Sequence, residues 1–409
     1  MPRVWEVPVH DSTRVREVRM AAGAAARHAG LAEDRLSAAE LVATELATNL
    51  LKHAGGGQIL LDLVGPPVPA YGDERISMLQ IMAVDHGPGI PDTVAALRDG
   101  YSTTASLGAG LGTCLRTADD FGLHSTPGQG TVVMARVAPR PNRYSGGPHP
   151  TPLPVRAGGV NTPFAGAEFS GDAWACVRTG DRVTLMLADG LGHGPQAARA
   201  SSAAVEEARR ASHLPPADLL RRLDGALRGT RGAAVAVAQL DVATGQLYFA
   251  GVGNAGARLR SGDGWHGLVS RPGIVGAHLP ARLPQHQATW TDDSLLVLHS
   301  DGLPSRWSPG PAAQAASSLD PAVIAAAIVR DASSAARPVR DDTAVVVLSP
   351  FPRTAPHDPH LARPHDHRGR AGPYRRRAAG RRVRSHPRGA HPPGGRAERP
   401  ATAVPHQGR

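Results

Sequence analysis

Residues 183–194 read V-T-L-M-L-A-D-G-L-G-H-G and form the chemical centre of the second half of the chain. The mostly apolar residues 183–187 predict a buried strand, and the glycines after Asp189 predict a break in the chain beside it. A carboxylate at a strand end and the uncrowded carbonyl of Gly190 are hard oxygen ligands that suit Mg²⁺ or Mn²⁺. Because D-G is also a common turn, this stretch alone leaves a plain turn and a metal ligand both open.

Further carboxylates lie at the edges of other predicted strands. Asp172 precedes the strand expected to pair with residues 183–187 as a hairpin, and Asp301 follows the apolar run S-L-L-V-L-H-S. Asp341 and Asp342 precede T-A-V-V-V-L. No histidine or cysteine cluster accompanies these carboxylates in the sequence, which favours an all-oxygen site. Two hard cations held close together can activate a water and neutralise a phosphoryl group, so the pattern predicts a hydrolase of phosphate esters.

With these motifs, residues 158–348 resemble the SpoIIE-type branch of the metal-dependent PPM serine/threonine phosphatases. The resemblance rests on S-G-D (170–172), A-D-G-L-G-H-G (188–194), T-G-Q-L-Y-F-A-G-V-G-N-A-G (244–256), S-D-G (300–302) and R-D-D-T (340–343). It implies a phosphatase domain over 158–350, built as an αββα sandwich with two antiparallel sheets and flanking helices.

The same resemblance implies a centre of two Mn²⁺ or Mg²⁺ ions, with Asp189 and Asp301 as catalytic residues. The metal ligands that it implies are Asp172, Asp189, the carbonyl of Gly190, Asp301 and Asp341. Asp342 is the weaker member of its pair, because that position is often not acidic in related enzymes. The loop G-N-A-G departs from the branch, which usually has a histidine after the glycine, and we expect this to affect substrate fit more than chemistry.

Length and composition fit two ordinary domains with a remainder. Of the 409 residues, 41% are hydrophobic, which suffices for real cores, and no apolar run reaches the length of a membrane helix. The start of the chain, M-P-R-V-W-E-V-P-V-H, lacks the apolar core of a secretion signal. Cys114 and Cys176 lie in different segments and indicate neither a disulfide framework nor a zinc site, so we expect a cytoplasmic protein.

The net charge of +10 comes from residues 351–409, which hold fourteen Arg against three Asp or Glu. Residues 1–350 are therefore close to neutral. The C-terminal stretch is rich in Arg, Pro, Gly and His without hydrophobic periodicity, so we expect it to be disordered. It could touch nucleic acid or acidic partners nonspecifically, or be a nonfunctional extension; we expect no nucleic-acid binding by the folded part.

The first half begins with a predicted strand, V-W-E-V-P-V, and a helix from Asp11 or Ser12 to about residue 29. A second helix, starting near Asp34 or Ser37, carries polar residues at three- and four-residue spacing. These residues predict one polar face opposite Leu41, Leu46 and Leu50, and they are Glu45, Asn49, Lys52 and His53. A solvated surface would explain such a face unless the downstream sequence adds to it.

The downstream sequence adds two glycine motifs. Asp85-His86-Gly87-Pro88-Gly89-Ile90 follows a predicted strand, and Gly108-Ala109-Gly110-Leu111-Gly112 opens a predicted helix. Glycines before a helix let backbone N–H groups surround phosphates at the positive helix end. This ordered set resembles the GHKL, or Bergerat-fold, ATP-binding domain over about 12–138, and most closely its RsbT- and RsbW-like serine kinases. The resemblance implies an α/β sandwich over 1–138.

The resemblance also implies a role for each motif residue. Asn49 would hold the Mg²⁺ that bridges the phosphates of ATP, and Glu45 would be the base that accepts a proton from a protein hydroxyl. Asp85 would bind the adenine amino group, and residues 101–107 would be a mobile lid. The glycines would shape the adenine pocket (Gly87, Gly89) and hold the phosphates (Gly108, Gly110, Gly112). His53 is interpreted as structural.

The sequence therefore predicts an α/β protein of the α+β kind, with two such domains joined by a Pro/Gly-rich linker over 139–157 and followed by the basic tail 351–409. We expect a partner-switching regulator with a phosphatase and a kinase of serine or threonine residues. The expected substrate is a STAS-type antagonist protein, with a sigma factor affected indirectly. The alternative is that the first domain only binds ATP and a partner, as an anti-sigma factor does, and the phosphatase is the sole enzyme.

Overall fold

Three five-stranded sheets and the helices beside them make up the part of the chain that the computed structural model describes. The described residues are 4–68, 77–97, 110–139, 155–262, 264–334 and 339–351. The predicted lid (101–107), Gly108, most of the predicted linker and all but the first residue of the predicted tail lie outside them. None of the described helices is long and apolar enough to cross a membrane.

The first sheet has the strand order β1-β2-β3-β5-β4, and its neighbouring strands are antiparallel. Its strands are β1 (Trp5–Val9), β2 (Gly57–Val64), β3 (Met78–Val84), β4 (Asp120–Thr126) and β5 (Gly130–Val137). The helices of this half are α1 (Ser12–His28), α2 (Glu33–Asn49), α3 (Thr93–Ala96) and α4 (Gly110–Thr117). The predicted first strand and first helix are both present, and the Asp11 side chain caps α1 by accepting from the Thr13 N–H at 2.8 Å.

α1 and α2 cover one face of the first sheet, because every second residue of its strands points to them. α2 then continues into a π-helical turn, Leu50–Ala54, which ends at Gly55 in the left-handed region (φ +73°). The prediction that Leu41 lies opposite Glu45 is wrong, since Leu41 is 43% exposed while Leu46 is buried. Residues four apart on a helix share a face, so Leu41 lies one turn before Glu45 and on the same side of the helix as Glu45.

The second and third sheets face each other and enclose an apolar core. Their strand orders are β13-β10-β9-β8-β7 and β12-β11-β14-β15-β6, again with antiparallel neighbours. The strands are β6 (Val155–Thr162), β7 (Asp172–Thr179), β8 (Arg182–Gly190), β9 (Ala233–Asp241), β10 (Gln246–Val252), β11 (Gly256–Ser261), β12 (Gly264–Leu268), β13 (His286–Thr289), β14 (Leu295–His299) and β15 (Thr343–Pro350).

Helices flank this sandwich on both sides. They are α5 (Pro195–Ala211), α6 (Pro216–Leu227), α7 (Gly310–Gln314) and α8 (Pro321–Ala332). α5 and α6 pack on the second sheet, and α7 and α8 pack on the third. This arrangement confirms the predicted α/β class, with one sandwich for each half of the chain.

The predicted linker, 139–157, ends earlier than the sequence indicates. Val155 already begins β6, which pairs along its whole length with β15, the last described strand. Val155 and Ala157 are buried in the core between the second and third sheets. The sequence predicted the end of the linker too late, because the proline-rich run up to Pro154 is typical of a linker and does not predict the strand that follows it.

α8 lies between the two halves of the chain. Its sequence, P-A-V-I-A-A-A-I-V-R-D-A, is apolar on nearly all sides, which is typical of a helix buried all round. One side packs on the third sheet. The other packs on the face of the first sheet that α1 and α2 leave uncovered, where it meets Leu60, Met82, Val132 and Met134. The order of layers is therefore helix, sheet, helix, sheet, sheet, helix.

A buried ion pair fixes α8 to the first sheet. Arg136 of β5 is 1% exposed, and its two terminal nitrogens donate to the two carboxylate oxygens of Asp320, each at 2.9 Å. Asp320 also caps α8, since it accepts from the Ala322 N–H at 2.8 Å. The Arg136 Nε donates to Gln80 at 3.0 Å, and Gln80 donates to the Gly159 carbonyl of β6 at 3.0 Å. The polar groups at this interface are thus satisfied by one another.

We expect Arg136→Met to lower the free energy of unfolding by about 3–5 kcal/mol, because it leaves the Asp320 carboxylate buried without its partner. Urea unfolding of the full chain measures the change. The matched control is Arg221→Met, whose partner Asp218 lies 2.6 Å away but whose pair is exposed (52% and 54%); it should cost less than about 1 kcal/mol. Equal losses in the two variants would contradict a special role for the buried pair.

Candidate functional site

The predicted carboxylates Asp189, Asp301 and Asp341 meet at one cavity of about 240 Å³ in the second half of the chain. Asp189 is near the end of β8, Asp301 follows β14, and Asp341 precedes β15. The cavity is lined by Asp189, Leu191, Gly192, Ala234, Gly253, Asn254, Gly273, Ile274, Asp301 and Asp341. Three segments far apart in the sequence therefore deliver carboxylates to the same edge of the sandwich.

Gly190 sits where no side chain fits. A Cβ at this position would lie 2.2 Å from the carbonyl oxygen of Ala197, in the first turn of α5. The Gly190 N–H donates to the Gly171 carbonyl at 3.0 Å, and the Leu191 N–H donates to the Gly232 carbonyl at 3.0 Å. The glycine that follows Asp189 thus lets α5 approach the end of β8, which closes one side of the site.

Asp341 and Asp342 have different surroundings. Asp341 lines the cavity and is exposed to it. Asp342 is buried, and its two oxygens accept from the N–H groups of Phe164 and Gly171, each at 2.8 Å. The carboxylate of Asp342 thus holds the segment before β7 in place, whereas that of Asp341 lines the cavity.

Like charges at the site raise the pKa values of its carboxyl groups. Burial raises the pKa of Asp189 to about 7, and the charges of Asp301 and Asp341 act in the same direction. The carboxyl groups of Asp189 and Asp301 lie within hydrogen-bonding reach of each other, so they can share a proton. Burial raises the pKa of Asp301, and the charge of Asp341 adds to that shift.

Asp172 is the most buried acid of the site. It pairs with Asp189 across the β7–β8 hairpin, and it is fully buried. Burial raises the pKa of Asp172 well above its ordinary value, and the Asp189 charge raises it further. Neither carboxylate oxygen of Asp172 has a hydrogen-bond partner among the described residues. A buried carboxylate in this state requires a proton or a cation.

The donor set fits hard cations. At the cavity it consists of the carboxylates of Asp189, Asp301 and Asp341, and the orphaned buried carboxylate of Asp172 lies opposite Asp189 in the hairpin. Gly190 is not among the residues that line the cavity. Within the described ranges, no three His, Cys, Asp or Glu side chains already stand at metal-binding distances. The carboxylates line the cavity without converging on one point, so binding a cation would require their side chains to rotate toward it. The charge of the cation would offset their repulsion.

Sequence reasoning missed two polar side chains at this cavity. The Asn254 amide donates to Asp301 at 2.5 Å, so the G-N-A-G loop contacts a proposed metal ligand directly and not only the substrate region. The exposed Arg231 guanidinium lies next to Gly192, since a Cβ there would be 3.1 Å from it. The departure from the family motif pointed to Asn254, but nothing in the local pattern pointed to Arg231.

The first half brings a second group of predicted residues together. Glu45 and Asn49 lie one turn apart on α2, and Gly110 at the start of α4 approaches Asn49 so closely that a Cβ there would lie 3.0 Å from its Oδ1. The Asn49 Nδ2 is buried and has no hydrogen-bond partner within the described part of the chain. Gly112 is buried further along α4, and Lys52 and His53 are exposed.

Cys114 of α4 lies near Glu45. Burial raises the pKa of its thiol to about 12, and the Glu45 charge acts in the same direction. The Cys114 thiol donates to the Val42 carbonyl of α2 at 3.9 Å. The Cys114 thiol therefore stays neutral near Glu45.

Asp85 anchors the turn after β3. Its Oδ1 accepts from the Gly87 N–H at 2.8 Å and from the Thr131 N–H at 3.2 Å. Among the described residues, the hydrogen bonds to Asp85 both go to this one oxygen. Burial raises the pKa of Asp85, but these two N–H groups and the Arg330 charge oppose the shift. The Asp85 carboxylate is thus held in the turn by two backbone N–H groups.

Glycines shape the same turn. Gly89 has a left-handed backbone (φ +74°), and a Cβ there would lie 2.5 Å from the carbonyl oxygen of Thr126. A Cβ on Gly87 would lie 2.7 Å from Ala54, at the end of the π-helical turn. Only glycine lets the turn pack between β4 and the end of α2.

We expect Asp189→Asn to raise the free energy of unfolding of the metal-free protein at pH 8 by about 1–3 kcal/mol, because it removes one of several like charges. The folded pKa of about 7 lies above the unfolded value, so the wild type loses stability as the pH rises from about 4 to 7. The gain should thus vanish below about pH 4, where the carboxyl is protonated in both states. Urea unfolding in EDTA at several pH values measures it.

Adding Mn²⁺ at pH 8 should reverse the order, stabilising the wild type and leaving Asp189→Asn nearly unchanged. Asp218→Asn, on the exposed surface of α6, is the control and should show neither effect. A pH-independent difference between wild type and Asp189→Asn would contradict the proposed repulsion.

Both halves match known families. Residues 179–350 match the family model of stage II sporulation protein E (SpoIIE). Residues 9–136 match that of the histidine kinase-like ATPase domain. These matches confirm both resemblances that the sequence motifs indicated.

Individual relatives cover one half each. The serine/threonine-protein kinase RsbT of Bacillus subtilis (strain 168) is 42% identical over 92 residues, which are 22% of this chain and 64% of RsbT. The chain thus spans less than two thirds of the length of RsbT. The phosphoserine phosphatase RsbX of the same organism is 25% identical over 140 residues, 34% of this chain and 69% of RsbX.

Among solved structures, the crystal structure of RsbX in complex with magnesium is 20% identical and has a TM-score of 0.40. It covers 47% of this chain and 94% of that one. The two family models match separate segments of the chain, 9–136 and 179–350. The chain is a fusion of a domain of the histidine kinase-like ATPase family with a domain of the SpoIIE family.

Proposed function

We propose that the second half hydrolyses phosphoserine or phosphothreonine on a partner protein, using two Mn²⁺ or Mg²⁺ ions. The observation that carries this proposal is the meeting of Asp189, Asp301 and Asp341 at one cavity, with the orphaned carboxylate of Asp172 beside it. These four carboxylates and the Gly190 carbonyl would hold the ions. When bound, such ions lower the pKa of a shared water and neutralise the charge of a phosphate.

The residues around the cavity support the reaction in separate ways. Asn254 orients Asp301 through its 2.5 Å hydrogen bond, and the buried Asp342 holds the backbone on which Asp172 sits. The positive charge of Arg231 lies near the rim at Gly192, where an anionic phosphate would enter. In the net reaction, the water oxygen bonds to phosphorus and the bond from phosphorus to the side-chain oxygen breaks. A proton from the water passes to the side-chain oxygen, which leaves as the serine or threonine hydroxyl.

We infer that the first half binds ATP with Mg²⁺ and phosphorylates a partner. Asn49 would hold the ion, Gly110 and Gly112 would contact the phosphates together with Gly108, and Asp85 would accept a hydrogen bond from the adenine amino group. Glu45, half-buried on the same side of α2 as Asn49, would take the proton of a serine or threonine hydroxyl as the γ-phosphate transfers.

The partner class that fits both activities is a small antagonist protein of the STAS type, with a sigma factor controlled indirectly. RsbT, a serine/threonine kinase by name, and RsbX, a phosphoserine phosphatase by name, each resemble one half of this chain. A kinase and a phosphatase in one chain could set the phosphorylation level of such a partner. The alternative is that the first half only binds ATP and a partner, and the second half is the sole enzyme.

For the phosphatase, we expect hydrolysis of p-nitrophenyl phosphate or a phosphoserine protein to require Mn²⁺ or Mg²⁺. Asp189→Asn, Asp301→Asn and Asp341→Asn should each lower the rate at least about 100-fold by removing charge that holds the ions. Asp342→Asn is the neighbouring control. It should chiefly lower stability, because Asp342 already accepts two backbone hydrogen bonds. Activity that survives EDTA would rule out the metal-dependent reaction.

For the kinase, the intact chain with Asp189→Asn, which prevents removal of the product, should phosphorylate a cognate STAS protein on serine or threonine. Adding Glu45→Gln should slow transfer about 100-fold or more and leave the affinity for ATP nearly unchanged. The control is Glu40→Gln on the same helix, since Glu40 pairs with Arg19 at 2.9 Å. Mass spectrometry of the partner measures the transfer.

Two outcomes separate the proposals for the first half. Equal transfer with and without Glu45 would reject its role as the base. ATP binding without transfer to any cognate STAS protein would favour the partner-binding module instead of the kinase.

A further inference from the structure

Arg330, near the end of α8, belongs by sequence to the phosphatase half but lies against the proposed nucleotide site of the first half. It is 1% exposed, and its Nη1 donates to the carbonyl of Gly130 at 3.2 Å. Its Nε donates to the neighbouring Asp331 at 2.8 Å. A buried guanidinium carries a full charge, so its position matters for every polar group nearby.

Gly130 connects Arg330 to Asp85. It lies so close to the Asp85 backbone that a Cβ at position 130 would be 2.0 Å from the Asp85 carbonyl oxygen. The next residue, Thr131, donates its N–H to the Asp85 carboxylate at 3.2 Å. Arg330 therefore supports the backbone that presents a donor to Asp85.

The turn after Asp85 also contacts α8. The His86 ring lies 3.0 Å from the carbonyl oxygen of Arg330 and 3.2 Å from that of Ser333. These carbonyls lie at the C-terminal end of the helix, where hydrogen-bond donors satisfy groups that the helix leaves free. The turn that carries Asp85 is thus held on two sides by one helix of the other half.

The charge of Arg330 acts on Asp85 as well. Burial alone favours the protonated form of Asp85 and raises its pKa, whereas the Arg330 charge opposes this shift. An ionised carboxylate accepts a stronger hydrogen bond from an amino group than a protonated one. Replacing Arg330 by a neutral residue would remove this opposition.

We propose that Arg330 is a positioning residue of the adenine site, so that the SpoIIE-type half completes the nucleotide site of the ATPase half. The proposal rests on the proposed binding of ATP at Asp85. Arg330 would not touch the nucleotide; it holds the Gly130 carbonyl, next to the Thr131 N–H that donates to Asp85, and its charge favours the ionised form of Asp85. The phosphates bind elsewhere, near Asn49 and Gly110, so Arg330 should act on recognition of the base and not of the phosphates.

The test compares two ligands with the full chain by calorimetry in the presence of Mg²⁺: ATP, which has a base, and inorganic tripolyphosphate, which has none. Arg330→Gln, which keeps a donor for Gly130 but loses the charge, should weaken ATP binding about tenfold and tripolyphosphate binding less than about twofold. Arg330→Lys, which keeps the charge, should bind ATP within about threefold of wild type. If Arg330→Gln does not fold, Arg330→Met is measured with the same two ligands.

Two controls separate positioning from general support of the fold. Arg136→Met removes an equally buried arginine that contacts the other end of α8, and it should leave the ratio of the two affinities unchanged. In an Asp85→Asn background, Arg330→Gln should add less than about a twofold loss of ATP affinity, since both residues act on one contact.

The outcomes are distinguishable. If the wild type binds neither ligand, both the proposed ATP site and the proposed role of Arg330 are wrong. If wild type binds ATP and Arg330→Gln binds it equally well, the role of Arg330 is overturned while ATP binding stands. Equal weakening of both ligands, or additive losses with Asp85→Asn, would also overturn the proposal.

Discussion

α8 is apolar on almost every side, so it must be buried on every side, and this constraint determines how the two halves of the chain meet. The helix lies between the first sheet and the third, and neither sheet alone could cover it. Its two ends carry the polar contacts, Asp320 with Arg136 at one end and Arg330 with Gly130 at the other. The apolar middle supplies the burial, and the ends fix its orientation.

The close approach of α8 also depends on residues without side chains. A Cβ on Gly158 of β6 would lie 2.6 Å from the Ala322 nitrogen, and the alanines of α8 leave little bulk on the helix itself. Small residues let a helix and a sheet approach until backbone contacts backbone. The cost is a weaker intrinsic helix or strand at glycine, and the buried apolar area offsets it.

The two candidate sites share one local arrangement but differ in how many carboxylates they bring together. In each site an aspartate lies at or next to the end of a strand, and glycines bring the backbone close to the candidate site. A helix begins nearby, α4 in the first site and α5 in the second. In the first site, Asp85 lies near the positive charge of Arg330. The second collects several carboxylates whose pKa values rise by burial and mutual repulsion, which suits cations. Carboxylates that destabilise a metal-free fold are expected where a cation is bound.

The sequence by itself determined the local elements and the residues at their ends. The apolar runs predicted β8, β14 and β15, and the carboxylates beside them were placed correctly, because strand periodicity and glycine breaks are local properties. The glycine motifs and the polar residues of α2 identified the first family in the same way. The family matches confirmed both identifications.

Only the tertiary structure decided how distant residues meet. The contact between Arg136 and Asp320 spans 184 positions, and that between Gly130 and Arg330 spans 200, so no local pattern encodes either. The proline-rich run before β6 did not predict the strand, and Leu41 was assigned to the wrong side of its helix. The contacts of Asn254 and Asp342 are with distant segments of the chain, Asp301 after β14 and Gly171 before β7. Such contacts depend on which faces of three sheets pack together. That choice is made by the total apolar area buried, and α8 supplies the surface that joins the two halves.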